Sequence, residues 1–190
     1  EQAAEMALKY KNYWGTRGGV TVTGGEPLAQ IDFVTELFAI LKGKKIHCCV
    51  DTSGATFNRD NAECVKKHKI LVDKTDLFLL DIKHIDDGAC KDLTGLSNKN
   101  TLDFARFLSD NGNDMWIRYV LVPNINDDAA TLERSAEFIN SLKTVKKVEV
   151  LPYHTMGVVK YKNLGIPYRL EGTPVPSAES VANAKKILGA

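Results

Sequence analysis

Five apolar segments that alternate with helical patterns constrain the fold of this chain more than any other feature. The predicted strands cover residues 20–23, 46–50, 77–82, 115–122 and 148–151. The predicted helices cover 1–13, 27–43, 61–69, 101–111, 129–142 and 177–188, the last capped by Ser177. A polar loop is predicted over 86–98 and a long stretch punctuated by glycine and proline over 155–176. The nearly continuous apolar run over 77–82 predicts strands that are buried on both faces of the sheet. Alternation with about 30 residues per unit is typical of a parallel sheet or barrel. Because a chain of 190 residues, 44% of them hydrophobic, can bury one substantial core, a single domain over 1–190 is predicted.

The first predicted strand ends in a glycine pair that is followed by an acid and a proline. Pro27 suits the first turn of a helix, because its fixed φ is close to the helical value and an N–H in that turn has no acceptor within the helix. Gly24 and Gly25 are consistent with a simple tight turn, and they also leave backbone N–H groups bare for a ligand. Glu26 has no evident packing role. An acid beside exposed N–H donors predicts a site for the ammonium and carboxylate groups of one small zwitterion.

Polar or ionisable side chains occur at four of the predicted strand ends. They are Glu26, Asp51, Thr52, Asp81, Lys83 and His154. In parallel α/β folds the active site lies at the carboxyl ends of the strands. Ionisable groups at these positions cost desolvation energy unless they have partners. Their recurrence therefore predicts a binding site along one edge of the sheet.

Two of these positions have a simpler alternative. Asp51 could cap the turn Asp-Thr-Ser-Gly, and Asp81 with Lys83 could form a buried structural ion pair. The functional interpretation is favoured: Lys83 faces a ligand carboxylate, while Asp51, Thr52 and Asp81 supply hard oxygens to a cation.

The string Gly-Gly-Val-Thr-Val-Thr-Gly-Gly-Glu-Pro-Leu over 18–28 resembles the corresponding segment of radical SAM enzymes, most closely the activating enzymes of glycyl radical enzymes. The resemblance extends to about Leu188 and includes the segments 51–52, 81–83 and 151–154. It implies a partial (β/α)6 TIM-like barrel of the radical SAM type. It also implies contacts to S-adenosylmethionine from Gly24, Gly25, Glu26, Thr52, Lys83 and His154, and a monovalent cation held by Asp51, Thr52 and Asp81.

Two further residues acquire roles only through this resemblance. Arg118, inside the predicted fourth strand, would face the cavity that admits the partner's glycyl loop. Its alternative is an arginine that caps a carboxylate at the mouth of the barrel. His154 would lie near the adenosine portion of S-adenosylmethionine, and its alternative is an ordinary loop histidine.

The implied reaction is the reductive cleavage of S-adenosylmethionine to a 5′-deoxyadenosyl radical, which removes a hydrogen atom from a glycine of pyruvate formate-lyase. A flavodoxin or ferredoxin would supply the electron, and the activase would be a monomer. Because the cofactor carries out the difficult chemistry, no general acid or base is needed. No catalytic side chain is identified.

The chain departs from the family at its iron–sulfur cluster. Radical SAM enzymes hold a [4Fe-4S] cluster through a CxxxCxxC loop, and this string is absent. Cys48, Cys49, Cys64 and Cys90 do not have the spacing to replace it, and they are predicted to be free thiols that are mostly buried. We therefore expect that the chain lacks the first strand and cluster loop of the barrel, and that it is inactive alone.

Charge and hydropathy exclude several classes of partner. The formal charge of +1 gives no basis for nucleic-acid binding, and no apolar run reaches the roughly 20 residues that span a bilayer. The acidic amphipathic start is unlike a signal or transit peptide, so a cytoplasmic location is expected.

Three alternative functions stay open. The first is an activase of another glycyl radical enzyme, and the second is a non-catalytic binding module without a cluster. The third is an unrelated aldolase-type barrel that uses Lys83 as a Schiff-base nucleophile.

Overall fold

The computed structural model describes residues 1–15 and 18–190, and in this part of the chain all strands belong to one parallel sheet. The strands are β1 (Gly19–Val22), β2 (His47–Thr52), β3 (Leu77–Ile82), β4 (Met115–Leu121) and β5 (Val145–Pro152). They lie side by side in sequence order, and every pairing is parallel. All five carboxyl ends therefore lie at one edge. This α/β sheet confirms the partial barrel that the sequence predicts.

Helices follow the strands as the alternation predicts. They are α1 (Gln2–Leu8), α2 (Ile31–Gly43), α3 (Ala62–Val72), α4 (Asp87–Thr94), α5 (Lys99–Asp110), α6 (Ala129–Asn140), α7 (Val158–Asn163) and α8 (Ala178–Leu188). The predicted cap of the last helix is confirmed, because the Ser177 hydroxyl accepts a hydrogen bond from the amide of Ser180 at 3.0 Å. Among the residues described, no helix has the length and apolar character to cross a membrane.

Two segments predicted as irregular contain helices. The prediction of a polar loop over 86–98 is wrong, because α4 lies within it. Its start is fixed by the Asp86 carboxylate, which accepts a hydrogen bond from the amide of Ala89 at 3.0 Å, and its end by Gly95 at φ +83°. The segment 155–176, predicted as a long stretch punctuated by glycine and proline, contains a short 3₁₀ turn and α7.

Helix and strand limits differ from the prediction mainly at the ends. The first helix stops at Leu8 and is followed by a 3₁₀ turn over Lys11–Tyr13 instead of continuing to Tyr13. Strand β5 starts at Val145, three residues earlier than predicted. Pro27 begins a 3₁₀ turn, and α2 follows it. The limits of β3 are those predicted.

The two faces of the sheet differ in burial. In β3, Phe78, Leu80 and Ile82 are at most 1% exposed and belong to the core that the helices cover. Leu79 and Asp81, on the opposite face, are only partly buried. The sequence predicts strands buried on both faces, and this is correct for one face only, because helices pack against one side of the sheet. The other face is where polar side chains can approach a ligand.

Candidate functional site

The polar residues that follow the strands meet at the carboxyl edge of the sheet. Asp51, the residue before the last of β2, lies on the partly exposed face, and Asp81 and Arg118 are paired neighbours in β3 and β4. Lys83 directly follows β3, and His154 follows β5. The sheet therefore brings together groups that are up to about a hundred residues apart in sequence, as expected for parallel strands.

Four charged side chains form a continuous row across β2, β3 and β4. Arg118 donates from its Nη2 to Asp51 Oδ1 at 2.5 Å and from its Nε to Asp81 Oδ1 at 2.8 Å. Lys83 donates from Nζ to the second oxygen of Asp81, also at 2.8 Å. We call these four residues the charged row. Their alternation of acid and base lets charges that are only 15–34% exposed lie side by side.

Arg118 lies at the centre of the charged row. Burial opposes its positive charge, but hydrogen bonds and charge attraction from Asp81 and Asp51 outweigh burial and raise the pKa of the guanidinium. Its contacts are those of the alternative considered from the sequence, an arginine that pairs with carboxylates. A role toward a partner peptide is a separate proposal.

Glu26 has a structural role that the sequence does not reveal. Its Oε1 accepts hydrogen bonds from the amide of Leu28 at 3.0 Å and from the hydroxyl of Thr52 at 2.5 Å. Its Oε2 accepts from the amide and the hydroxyl of Ser53, at 3.0 and 2.5 Å. Four donors match the roughly four acceptor positions of a carboxylate. Glu26 therefore caps the turn before α2 and joins it to the end of β2.

The glycine pair before Glu26 is open to its surroundings. Gly24 has φ +153°, a conformation that other residues rarely adopt. A Cβ placed on either Gly24 or Gly25 would meet no atom within 4 Å. The backbone of this turn is therefore accessible to a ligand.

Thr52 lies apart from the two aspartates with which the sequence groups it. Its hydroxyl donates to Glu26 and accepts from the amide of Gly54 at 2.9 Å, and the residue is only 3% exposed. Successive strand residues point to opposite faces, so Thr52 and Asp51 diverge. The structure brings Asp51 and Asp81 together through Arg118, and the Thr52 hydroxyl is engaged elsewhere.

A cavity of about 720 Å³ opens beside the charged row, and both Lys83 and His154 line it. Strand-end residues and the segment after β5 form its walls, among them Val120, Leu151, Tyr161, Ile166 and Tyr168. The Tyr153 and Tyr168 hydroxyls lie 2.9 Å apart and hold this segment over the strand ends. A largely apolar cavity with a few polar groups is typical of a small-molecule site. The sequence does not identify the tyrosine walls, because they lie in the segment predicted as irregular.

The cysteines do not form a cluster site. All four are free, and Cys48, Cys49 and Cys90 are buried. Burial raises the pKa of the Cys48 thiol to about 11 and also raises the pKa values of Cys49 and Cys90, which disfavours the thiolate form that binds iron. Within residues 1–15 and 18–190, no three His, Cys, Asp or Glu side chains are arranged to hold a metal ion. The residues present therefore do not fit a [4Fe-4S] cluster.

Sequence comparison relates this chain to a known family. The model of the Radical SAM superfamily matches residues 1–139. A pyruvate formate-lyase-activating enzyme of Staphylococcus epidermidis is 51% identical over 189 residues, which are 99% of this chain and 75% of that protein. The corresponding enzyme of Streptococcus mutans is 47% identical over 182 residues, 96% of this chain and 69% of the relative.

Solved structures agree with the sequence relatives. A domain of a pyruvate-formate lyase-activating enzyme from Bacteroides vulgatus superposes with a TM-score of 0.70 at 26% identity, covering 90% of this chain and 92% of that one. A radical SAM methyltransferase from Sphaerobacter thermophilus has the same fold, with a TM-score of 0.67 at 18% identity over 99% of this chain and 52% of the other. The chain therefore belongs to the radical SAM superfamily, among the pyruvate formate-lyase-activating enzymes.

Proposed function

We propose that this protein serves the activation of pyruvate formate-lyase by holding S-adenosylmethionine at the carboxyl edge of its sheet. The observation that carries the proposal is that Lys83 and His154 line one cavity beside the charged row. The names of the relatives support the choice of partner. A flavodoxin or ferredoxin as electron donor and a monomeric state are part of the same proposal.

Each end of S-adenosylmethionine has a proposed binding group. The open backbone at Gly24 and Gly25 would receive the amino acid end, and Lys83 would pair with its carboxylate. His154, which also lines the cavity, would contact the adenosine. Glu26 already accepts four hydrogen bonds, so we assign it the task of fixing the glycine turn.

When bound and reduced by one electron, S-adenosylmethionine supplies the 5′-deoxyadenosyl radical that removes a hydrogen atom from glycine. The residues of this chain bind and orient the molecule, and the segment after β5 covers the cavity and excludes water. No general acid or base is proposed. We derive no step through a [4Fe-4S] cluster, because the described residues do not fit one.

Asp51, Asp81 and the backbone oxygen of Thr52 are proposed as the monovalent cation site, because the Thr52 hydroxyl is already bonded to Glu26 and Gly54. The two carboxylates lie on either side of Arg118, so a cation there would compete with the guanidinium for their oxygens. Arg118 displaced in this way would be available to the peptide of the partner. Binding of the cation at Asp51 and Asp81 would therefore be coupled to binding of the partner's peptide at Arg118.

A direct test compares two lysines that have similar surroundings. Lys83 and Lys42 each pair with an aspartate and are 34% and 37% exposed, but only Lys83 lines the cavity. We expect Lys83→Met to weaken binding of S-adenosylmethionine about tenfold or more, because a charge-assisted hydrogen bond is lost. Lys42→Met should bind as the unmodified protein does, in isothermal titration calorimetry. Equal effects of the two substitutions would contradict the proposed site.

The buried thiols with raised pKa values, which do not fit a cluster, support a second candidate, a binding module that docks on a glycyl radical enzyme without catalysis. Electron paramagnetic resonance separates the two functions. The protein is incubated anaerobically with iron, sulfide, a reductant, S-adenosylmethionine and pyruvate formate-lyase. A glycyl radical signal supports the activase and contradicts the expectation that this chain is inactive alone. Binding of the partner without a signal agrees with that expectation and supports the module. A second glycyl radical enzyme in the same assay tests whether the partner is another member of that class.

A further inference from the structure

Two buried asparagines hold the backbone that carries Lys83. Asn126 is 0% exposed, and its Nδ2 donates to the carbonyl of Lys83 at 3.0 Å and to the carbonyl of Val120 at 2.9 Å. Asn98, 6% exposed, donates from Nδ2 to the carbonyls of His84 and Ile85, at 3.1 and 2.7 Å. Three successive carbonyls, those of residues 83–85, thus accept hydrogen bonds from side-chain amides.

These bonds begin where the sheet ladder stops. The last paired residues of β3 and β4 are Ile82 and Tyr119. Beyond them the carbonyls of Lys83 and Val120 both accept from Asn126, so one side chain bridges the two strand ends in place of the next rung. A buried carbonyl without a partner is costly, and the asparagine removes that cost at two carbonyls together.

Asn126 is itself held rigidly. Its Oδ1 accepts from the amide of Val122 at 2.7 Å, and its main-chain carbonyl accepts from the Tyr119 hydroxyl at 2.9 Å. The neighbouring carbonyl of Ile125 receives the Nε2–H of His84 at 3.0 Å. The turn after β4 is therefore locked to the segment after β3 from both sides.

We infer that Asn126, assisted by Asn98, is a positioning residue for Lys83. The inference rests on the proposed function, in which Lys83 binds the carboxylate of S-adenosylmethionine. A binding group must be held to within about half an ångström of its productive position, and this is the task of the residues behind it. Neither asparagine lines the large cavity, so each acts through the backbone of the segment it holds.

The test uses a readout that needs no ligand. Lys83 and Lys42 are both paired with aspartates at similar exposure, so Lys42 is an internal reference in the same molecule. The protein is treated with limiting acetic anhydride, and mass spectrometry gives the acetylation rate of each lysine. In Asn126→Ala the ratio of the Lys83 rate to the Lys42 rate should rise about threefold or more, because Lys83 is no longer held against Asp81. The affinity for S-adenosylmethionine should fall in parallel.

Asn113→Ala is the matched control. Asn113 is a partly buried asparagine that, like Asn126, donates to a carbonyl, that of Val72 at 3.0 Å, but it precedes β4 at the opposite edge of the sheet. It should lower thermal stability without changing the ratio. If Asn126→Ala does not fold, Asn98→Ala is measured instead, with the same expected rise.

Three outcomes are distinguishable. A ratio that rises in Asn126→Ala alone supports the positioning role. A ratio that stays unchanged, or rises equally in Asn113→Ala, overturns it. If the ratio rises as expected but the unmodified protein shows no affinity for S-adenosylmethionine, the positioning of Lys83 stands and the proposed ligand is wrong.

Discussion

The two edges of the sheet each contain an aspartate–lysine pair, and the pairs differ in what completes them. At the amino edge, Asp76 accepts from Lys42 at 2.6 Å and from the amide of Cys48 at 2.8 Å, so it ties a helix and two strands together. At the carboxyl edge, Asp81 accepts from two cations, Lys83 and Arg118.

In the amino-edge pair, the third partner of the aspartate is a backbone amide, that of Cys48. In the carboxyl-edge pair, the third partner is a second cation, Arg118, and the pair lies beside a cavity. The amide cannot leave its place, whereas the side-chain cations can leave Asp81 for an anionic ligand, and a metal ion can then take their place at its carboxylate. The comparison teaches that ion pairs of similar length, 2.6 and 2.8 Å, can differ in their third partner, and we propose that this difference separates a structural pair from a binding pair.

The largest effect is expected from Asp81→Asn, which breaks the carboxyl-edge pair. Arg118 and Lys83 would lose the negative charge that they share, and the amide would keep an acceptor oxygen for only one of them, while both stay partly buried. We expect the free energy of unfolding in urea to fall by about 2–3 kcal/mol, a value below that of fully buried pairs because water reaches the row. Binding of S-adenosylmethionine should be lost as well. Unchanged binding would show that the two edges do not differ in function.

Asp76→Asn should sharpen the comparison at the amino edge. It removes the charge that pairs with Lys42 and keeps one oxygen for the amide of Cys48. The expected loss in the free energy of unfolding is about 1–2 kcal/mol, with no change in ligand affinity by calorimetry. A variant that folds well but binds weakly would place Asp76 in the site and remove the contrast.

Acid unfolding gives a smaller and more specific signal at Asp76. Burial alone would raise its pKa, but the hydrogen bonds from Lys42 and the Cys48 amide outweigh burial and lower it. A carboxyl group with a lowered pKa stabilises the fold above its unfolded pKa of about 3.9, and the stabilisation is lost as pH falls through the folded value. Urea unfolding from pH 7 to pH 2 should therefore show the unmodified protein and Asp76→Asn converging in acid. A constant difference between them would contradict this.

The smallest effect is expected from Tyr168→Phe in the wall of the cavity. It removes the hydrogen bond between the Tyr153 and Tyr168 hydroxyls, which is partly buried. We expect about 0.5–1 kcal/mol in the free energy of unfolding and a modest loss of affinity for S-adenosylmethionine. An affinity loss as large as that of Lys83→Met would mean that the tyrosine contacts the ligand directly.

Local sequence patterns were sufficient to predict the strands and the polar residues at their ends. Strand β3 has the predicted limits, because its apolar run is bounded by polar residues on both sides. Asp51, Asp81, Lys83 and His154 lie at the predicted edge, since parallel strands leave no other place for their ends. Helix α4 is not recognisable from apolar periodicity, because a cap and a left-handed glycine define it.

Contacts between distant residues could not be predicted. Glu26 is bonded to Ser53, and Asn126 to Lys83, across 27 and 43 residues of sequence. An asparagine in a turn that follows a proline, as Asn126 follows Pro123, usually predicts only the turn itself. Its burial, and the carbonyl it meets, depend on how two strand ends diverge in the folded sheet.

The sheet order also has a consequence for how the chain folds. Each strand from β2 to β5 pairs with the strand before it, so none of these four must wait for a later strand before it gains a neighbour. During synthesis each new β-strand can add to the edge left by the last, once its helix has emerged from the ribosome. Each step then closes only the loop between consecutive strands, and the entropic cost of closing a short loop is low. The order of translation and the order of assembly can then be the same.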